Sequence, residues 1–161
     1  MKKFVLIDGN SLINRAFYAT PVLTAPDGRY TNAVYAFINM LVKLIGDVKP
    51  DHMLVAFDVH APTFRHKSFA EYKGTRKPMP EELRPQIDLL KEVLDVLGIA
   101  RYECAGIEAD DIIGTLCKKY DCETIVITGD KDSFQLVDDT TSVYFTRRGI
   151  SDTEIFSAAD F

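Results

Sequence analysis

The chain has 161 residues, 47% of them hydrophobic and 27% charged, with a formal net charge of −5. That length holds one domain with a substantial core rather than two ordinary ones, and the composition excludes a chain dominated by disorder. The acidity excludes a surface coated in positive charge, although a local basic patch inside an acidic whole can still act.

Met1-Lys-Lys-Phe-Val-Leu-Ile-Asp8 reaches a carboxylate after only four apolar residues, which fits neither a secretory leader nor a membrane span. Phe4 to Ile7, closed by Asp8-Gly9-Asn10, predicts a buried parallel strand and a turn. A helix is expected from about Ser11, with Leu12, Ala16 and Phe17 on one side. After a loop through Pro21 and Pro26-Asp27-Gly28, the residues Ala33, Phe37, Met40, Leu41, Leu44 and Ile45 recur at helical spacing, and this helix is expected to stop near Gly46. Met53 to Phe57 predicts a second strand, again ended by an aspartate, Asp58.

Residues 60–77 break the pattern. They hold five basic residues, Arg65, Lys67, Lys73, Arg76 and Lys77, against Glu71, with Phe64, Phe69 and Tyr72 scattered among them. From Pro80, the residues Leu83, Ile87, Leu90, Leu94 and Leu97 predict a helix whose first turn is complicated by Pro85 and which stops at Gly98. A short strand is expected from Ile99 to Cys104, then a helix from Glu108 to about Lys119 burying Ile112, Ile113, Leu116 and Cys117. Thr124 to Thr128 predicts a strong strand ended by Gly129-Asp130-Lys131-Asp132, followed by a short helix through Phe134, Leu136 and Val137 and a strand from Ser142 to Thr146. Strands alternating with helices predict an α/β fold of three layers, α/β/α, around a mainly parallel sheet. Cys104, Cys117 and Cys122 lack metal or redox spacing and read as reduced thiols of a cytoplasmic protein.

In such a sheet, ligands gather beyond the carboxyl ends of the strands. Asp8, Asp58, Asp130 and Asp132 stand at or past three strand ends, and Glu108, Asp110 and Asp111 open a helix after a fourth. One such acid is an ordinary turn or capping residue. Seven on one rim repel one another, and burying them without a counter-charge costs several kcal/mol in order of magnitude. Lysines and arginines returning through the fold could hold them, as could divalent cations. Only Lys131 lies beside the acids in sequence, so divalent ions are the more economical reading. Without a His/Cys ligand set, Mg²⁺ or Mn²⁺ is favoured over zinc. Asp110 and Asp111 point about 100° apart on a helix, so one would ligate while the other orients a neighbour.

Residues 60–77 carry a net charge of +4, which leaves about −9 for the rest of the chain. Lysines and arginines in that setting supply phosphate contacts without sequence preference, and Phe69 and Tyr72 could stack on unpaired bases. Two metal ions beside a held polyanion is the chemistry of phosphodiester hydrolysis. No Walker-type loop or Gly-x-Gly-x-x-Gly sequence is present to suggest nucleoside triphosphate or dinucleotide binding.

The segments Val-Leu-Ile-Asp-Gly-Asn-Ser (5–11), Leu-Val-Ala-Phe-Asp (54–58), Thr-Phe-Arg-His (63–66), Glu-Tyr-Lys-Gly-Thr-Arg (71–76), Glu-Ala-Asp-Asp-Ile-Ile-Gly-Thr-Leu (108–116) and Thr-Gly-Asp-Lys-Asp (128–132) together resemble the 5′-nuclease domains of bacterial DNA polymerase I and, more broadly, flap endonucleases. The resemblance implies a PIN-like domain over residues 1–161 with a basic arch at about 60–80. It also implies 5′–3′ exonuclease or flap endonuclease activity on DNA flaps and RNA primers. By that pattern Asp8, Asp58, Glu108 and Asp110 surround a first metal ion, Asp111 supports it through water, and Asp130 and Asp132 serve a second. Lys73 and Arg76 would contact the scissile phosphate, and Asn10, Arg15, Arg65, Phe69, Tyr72 and Lys77 complete the candidate substrate-binding residues. Family members continue with further metal-binding aspartates, a helix-hairpin-helix module and commonly a polymerase, so this chain is expected to be part of a longer, cytoplasmic, nucleoid-associated protein. The competing readings are a PIN-like ribonuclease, another metal-dependent phosphatase and a non-catalytic DNA-binding module.

Overall fold

The computed structural model describes residues 1–59, 78–149 and 152–161. Six strands form one sheet: β1 (Lys3–Asp8), β2 (His52–Ala56), β3 (Ala100–Tyr102), β4 (Glu123–Thr128), β5 (Thr141–Arg148) and β6 (Asp152–Phe156). Their order across the sheet is β3-β2-β1-β4-β5-β6, and every pairing is parallel except β5 with β6. The chain builds outward from β1 through β2 to β3, then crosses to the other side of β1 to lay down β4 and β5. The strand order therefore reverses between β1 and β4, and a crevice opens beyond their carboxyl ends.

The pleat sends alternate residues to opposite faces, and both faces are covered. On one side Val5, Ile7, Val55, Phe57, Ile125 and Ile127 pack against three helices, α1 (Gly9–Ala19), α2 (Asn32–Val48) and α3 (Arg84–Val96). On the other, Leu6, Ala56, Val126, Val143 and Phe145 pack against α4 (Ala109–Lys119) and a 3-10 turn (Lys131–Leu136) carrying Phe134 and Leu136. This is the three-layer α/β/α arrangement expected from the alternation of elements. Among the described residues no helix is long and apolar enough to cross a membrane.

Several boundaries differ from the sequence reading for identifiable reasons. Helix α1 begins at Gly9 rather than Ser11 because Asp8 caps it, accepting the Ser11 N–H at 3.2 Å. Helix α2 runs past Gly46 to Val48 and ends where Lys49 turns left-handed at φ 52°, its N–H reaching the Ile45 carbonyl at 3.0 Å. Its inner stripe is Phe37, Leu41, Leu44 and Val48, which leaves Ile45 facing outward. Helix α3 starts at Arg84, four residues after Pro80, with Pro85 in its first turn, where a proline lacks no needed bond. The helix closes at Gly98 (φ 72°), so Leu97 falls past its last turn and is exposed. The segment expected as a short helix after Asp132 is the 3-10 turn. Strand β6 has no counterpart in the sequence reading, and β3 is shorter than the predicted 99–104.

Three helices are tied together by buried polar groups that apolar periodicity does not reveal. The Gln86 side-chain oxygen accepts the Ala33 and Val34 N–H groups at 2.8 and 3.2 Å, capping α2 from another helix. Its amide nitrogen donates to Asn32 Oδ1 at 2.8 Å, and Asn32 in turn donates to the Phe17 carbonyl at 3.3 Å near the end of α1. Gln86 and Asn32 are both fully buried.

Candidate active site

Each acid at the rim is fixed by the element it introduces. Asp8 caps α1 through Oδ1, while its Oδ2 accepts the Thr128 hydroxyl at 3.3 Å. Asp58 lies two residues past β2, and its Oδ1 accepts the Ala109 N–H at 2.7 Å, the first residue of α4. Asp130 follows β4 and caps the 3-10 turn, accepting the Asp132 N–H at 2.9 Å. Glu108, itself buried, stands at the start of α4 in a reciprocal capping box with Asp111, whose carboxylate turns back to the Glu108 N–H at 3.4 Å. Asp111 thus orients Glu108 while Asp110 faces the rim. Helix starts carry partial positive charge, which offsets part of the cost of gathering these carboxylates.

The offset is incomplete. Asp8 is 5% exposed, and its burial, reinforced by the charges of Asp110 and Asp58, pushes its carboxyl up to about 8. Burial likewise raises Asp110, helped by the charges of Asp130, Asp58 and Glu108. The structure therefore brings Asp8, Asp58, Glu108, Asp110 and Asp130 into one mutually repelling group at the β1/β4 crevice. Asp132 is exposed, its backbone held by Asp130.

Among the described residues no lysine or arginine pairs with Asp8, Asp58, Asp110 or Asp130; the ion pairs lie elsewhere, as with Arg101 and Asp95 or Lys91 and Glu103. Nor, among those residues, do any three His, Cys, Asp or Glu side chains stand grouped closely enough to hold a metal ion as they are. What they offer is a set of hard oxygen donors on separate elements. That chemistry fits Mg²⁺ or Mn²⁺ better than a softer metal. A cavity of about 720 Å³ lies away from the rim, between α2 and the β4–β6 edge, and includes none of these acids.

Two candidate substrate residues are engaged by the protein itself. Asn10 Oδ1 accepts the Asp58 N–H at 2.8 Å, which makes Asn10 a brace for that acid. Arg15 donates to the Gly129 and Arg147 carbonyls at 2.7 and 3.2 Å and lies over the Phe145 ring, pinning α1 to the loop after β4. A methyl group on Gly129 would lie 1.8 Å from Arg15 Nε, so glycine is required for this close approach. Both roles depend on partners distant in sequence, and no local signal announces them. Arg65, Phe69, Tyr72, Lys73, Arg76 and Lys77 lie outside the described residues. All three cysteines are free, and burial pushes the Cys117 thiol up to about 12, far from a reactive thiolate.

A family model described as "5′-3′ exonuclease, N-terminal resolvase-like domain" matches residues 3–161. The chain belongs to this exonuclease family. Among its curated relatives, DNA polymerase I of Bacillus subtilis is 52% identical over 159 residues, and that of Bacillus caldotenax is 48% identical over 159. DNA polymerase I of Mycobacterium tuberculosis is 45% identical over 158 residues. The alignments to the two Bacillus proteins cover 97% of this chain but only 18% of each relative, so this exonuclease-family chain spans less than a fifth of their length. Its fold is also that of a bacteriophage T5 flap endonuclease solved with DNA and metal ions, with a TM-score of 0.72 at 20% identity, covering 99% of this chain and 59% of that one. The catalytic core of Rad2 in complex with a DNA substrate has the same fold, with a TM-score of 0.59 at 17% identity over 99% of this chain and 47% of that one.

Proposed function

We propose that the chain hydrolyses phosphodiester bonds near free 5′ ends of DNA, acting on flaps and on RNA primers, as the nuclease portion of a longer cytoplasmic polypeptide that also carries a polymerase. One observation carries this reading: five carboxylates from four separate elements meet at the β1/β4 crevice, and none of the described lysines or arginines pairs with Asp8, Asp58, Asp110 or Asp130. Membership of the exonuclease family and the fold shared with a flap endonuclease bound to DNA and metal ions support it.

Asp8, Asp58, Glu108 and Asp110 would hold one divalent ion, with Asp130 and Asp132 serving a second and Mg²⁺ or Mn²⁺ as the metal. Ions bound there supply Lewis-acid stabilisation of the charge that develops on a phosphate and make a water more acidic. The chain's own groups do the positioning. Asn10 holds the Asp58 backbone, Asp58 holds the start of α4, and Asp111 fixes Glu108. Arg65, Lys73, Arg76 and Lys77 would supply the positive charge that a polyanion needs, with Lys73 and Arg76 the candidates for contacting the scissile phosphate. Phe69 and Tyr72 offer faces for unpaired bases.

The test offers 5′-flap DNA, single-stranded RNA and a small phosphate ester in Mg²⁺, both to this chain and to a form extended to the length of its relatives. Flap DNA is the expected substrate, with cleavage abolished by chelation and reduced about 100-fold by Asp110→Ala. Cleavage indifferent to that substitution, or a preference for RNA or the small ester, would defeat the proposal.

A further inference from the structure

Strands β1 and β4 run side by side with Leu6 opposite Val126 and Ile7 opposite Ile127, which brings the last residue of β4, Thr128, level with Asp8. Thr128 is fully buried, and its hydroxyl makes two bonds in opposite senses. It donates to Asp8 Oδ2 at 3.3 Å and accepts the backbone N–H of Asp130 at 3.1 Å. A hydroxyl has one proton to give and lone pairs to receive, so both functions are satisfied at once and the direction of each bond is set. The carboxylates are also held from their far sides: Asp8 Oδ1 by the Ser11 N–H at 3.2 Å, and Asp130 Oδ1 by the Asp132 N–H at 2.9 Å. Thr128 is steadied in turn by β5, where the buried Thr146 hydroxyl donates to its carbonyl at 3.4 Å. A single side chain therefore stands between an acid ending one strand and the peptide that launches an acid after the next. Valine has nearly the same shape and could make neither bond.

We infer that Thr128 is a positioning residue whose hydroxyl fixes Asp8 and Asp130 relative to each other, so that the acids of two strand ends take up divalent ions as one unit. This rests on the reading that those acids bind such ions, and the experiment separates the two. Mn²⁺ binding is measured by calorimetry for the wild type, Thr128→Val and Thr128→Ser, well below each melting temperature, with thermal unfolding in chelator recorded alongside. Thr128→Val is expected to bind Mn²⁺ about tenfold more weakly or worse, and Thr128→Ser, which restores the hydroxyl, within about twofold of the wild type. A role confined to packing would show the reverse: a lower melting temperature with Mn²⁺ affinity unchanged. Wild-type affinity in Thr128→Val, or a failure of Thr128→Ser to restore binding, overturns the positioning role. A wild type that binds no Mn²⁺ overturns the ion-binding reading beneath it. If Thr128→Val does not fold, Thr128→Ala also lacks the hydroxyl and carries the same expectation.

Discussion

Asp8 serves two ends that pull against each other. As the cap of α1 it stabilises the fold, and as a buried carboxylate beside Asp110 and Asp58 it weakens it. Asparagine keeps the capping oxygen and removes the charge. Asp8→Asn is therefore expected to raise stability in chelator by about 1 kcal/mol or more, visible as a melting temperature several degrees higher, while flap cleavage is lost. An unchanged or lower melting temperature would show that the charge is not a burden. Asp138 is the opposite case. Its Oδ1 accepts the Thr140 N–H, the Thr140 hydroxyl and the Thr141 N–H at 2.8 to 2.9 Å, which holds its carboxyl below the usual range and sets the turn into β5. Because the folded value is depressed, its contribution is present above about pH 4, the unfolded value, and is lost as pH falls through the folded one. Asp138→Ala is expected to lower stability near neutrality by about 0.5–1 kcal/mol, a modest figure because the group faces solvent. Denaturant unfolding at a series of pH values should show that difference closing in acid. At this scale the acids were legible in the sequence because each follows an apolar strand run or opens an amphipathic helix. Thr128, Asn10 and Arg15 were not, because their partners lie far along the chain and hydrogen-bonding direction leaves no periodic trace.

The strongest element-level dependence is the link from α3 to α1 and α2. Gln86→Leu keeps the bulk but deprives the Ala33 and Val34 N–H groups and Asn32 of their shared partner in a buried place. The expected loss is about 2–4 kcal/mol, read from chemical denaturation, since each buried group left without a partner costs about 1–3 kcal/mol. A loss below about 0.5 kcal/mol would mean that the helices pack without it. The strands β1, β2 and β4 could be read directly from apolar runs because a parallel strand buried on both faces leaves no room for polar residues. Strand β6 is antiparallel, lies at the sheet edge and reads Asp-Thr-Glu-Ile-Phe, so it carries no such run and is recognised only through its pairing with β5. The end of α2 was misplaced because glycine is a common stop but not an obligatory one. Lys49 adopts the left-handed turn instead, and the helix gains one more buried residue, Val48.

Across the whole molecule, charge is divided: residues 60–77 carry +4 in a chain of net −5. On the proposed function that segment retains the polyanion that the acidic rim repels, so affinity for flap DNA should fall steeply with salt. Replacing both Lys73 and Arg76 by alanine should reduce the slope of log affinity against log salt by about 2, roughly one for each phosphate contact removed. Binding measured by fluorescence anisotropy from low to physiological salt provides the check, and an unaltered slope would place the phosphate contacts elsewhere. The three-layer architecture followed from the order of elements alone. The meeting of the acids required the topology as well, because only the reversal between β1 and β4 makes the ends of distant segments neighbours.

That reversal bears on how the molecule folds. Asp8 and Thr128 are 120 residues apart along the chain, and Asp58 and Asp110 belong to still other segments, so a denatured polypeptide has no means of assembling the same oxygens around a cation. An ion captured at the crevice recognises the native state alone, and its full binding free energy is added to conformational stability. The unfolding midpoint should therefore climb with the logarithm of Mg²⁺ or Mn²⁺ concentration once the dissociation constant is passed, making the reagent of the proposed reaction a keeper of the fold as well.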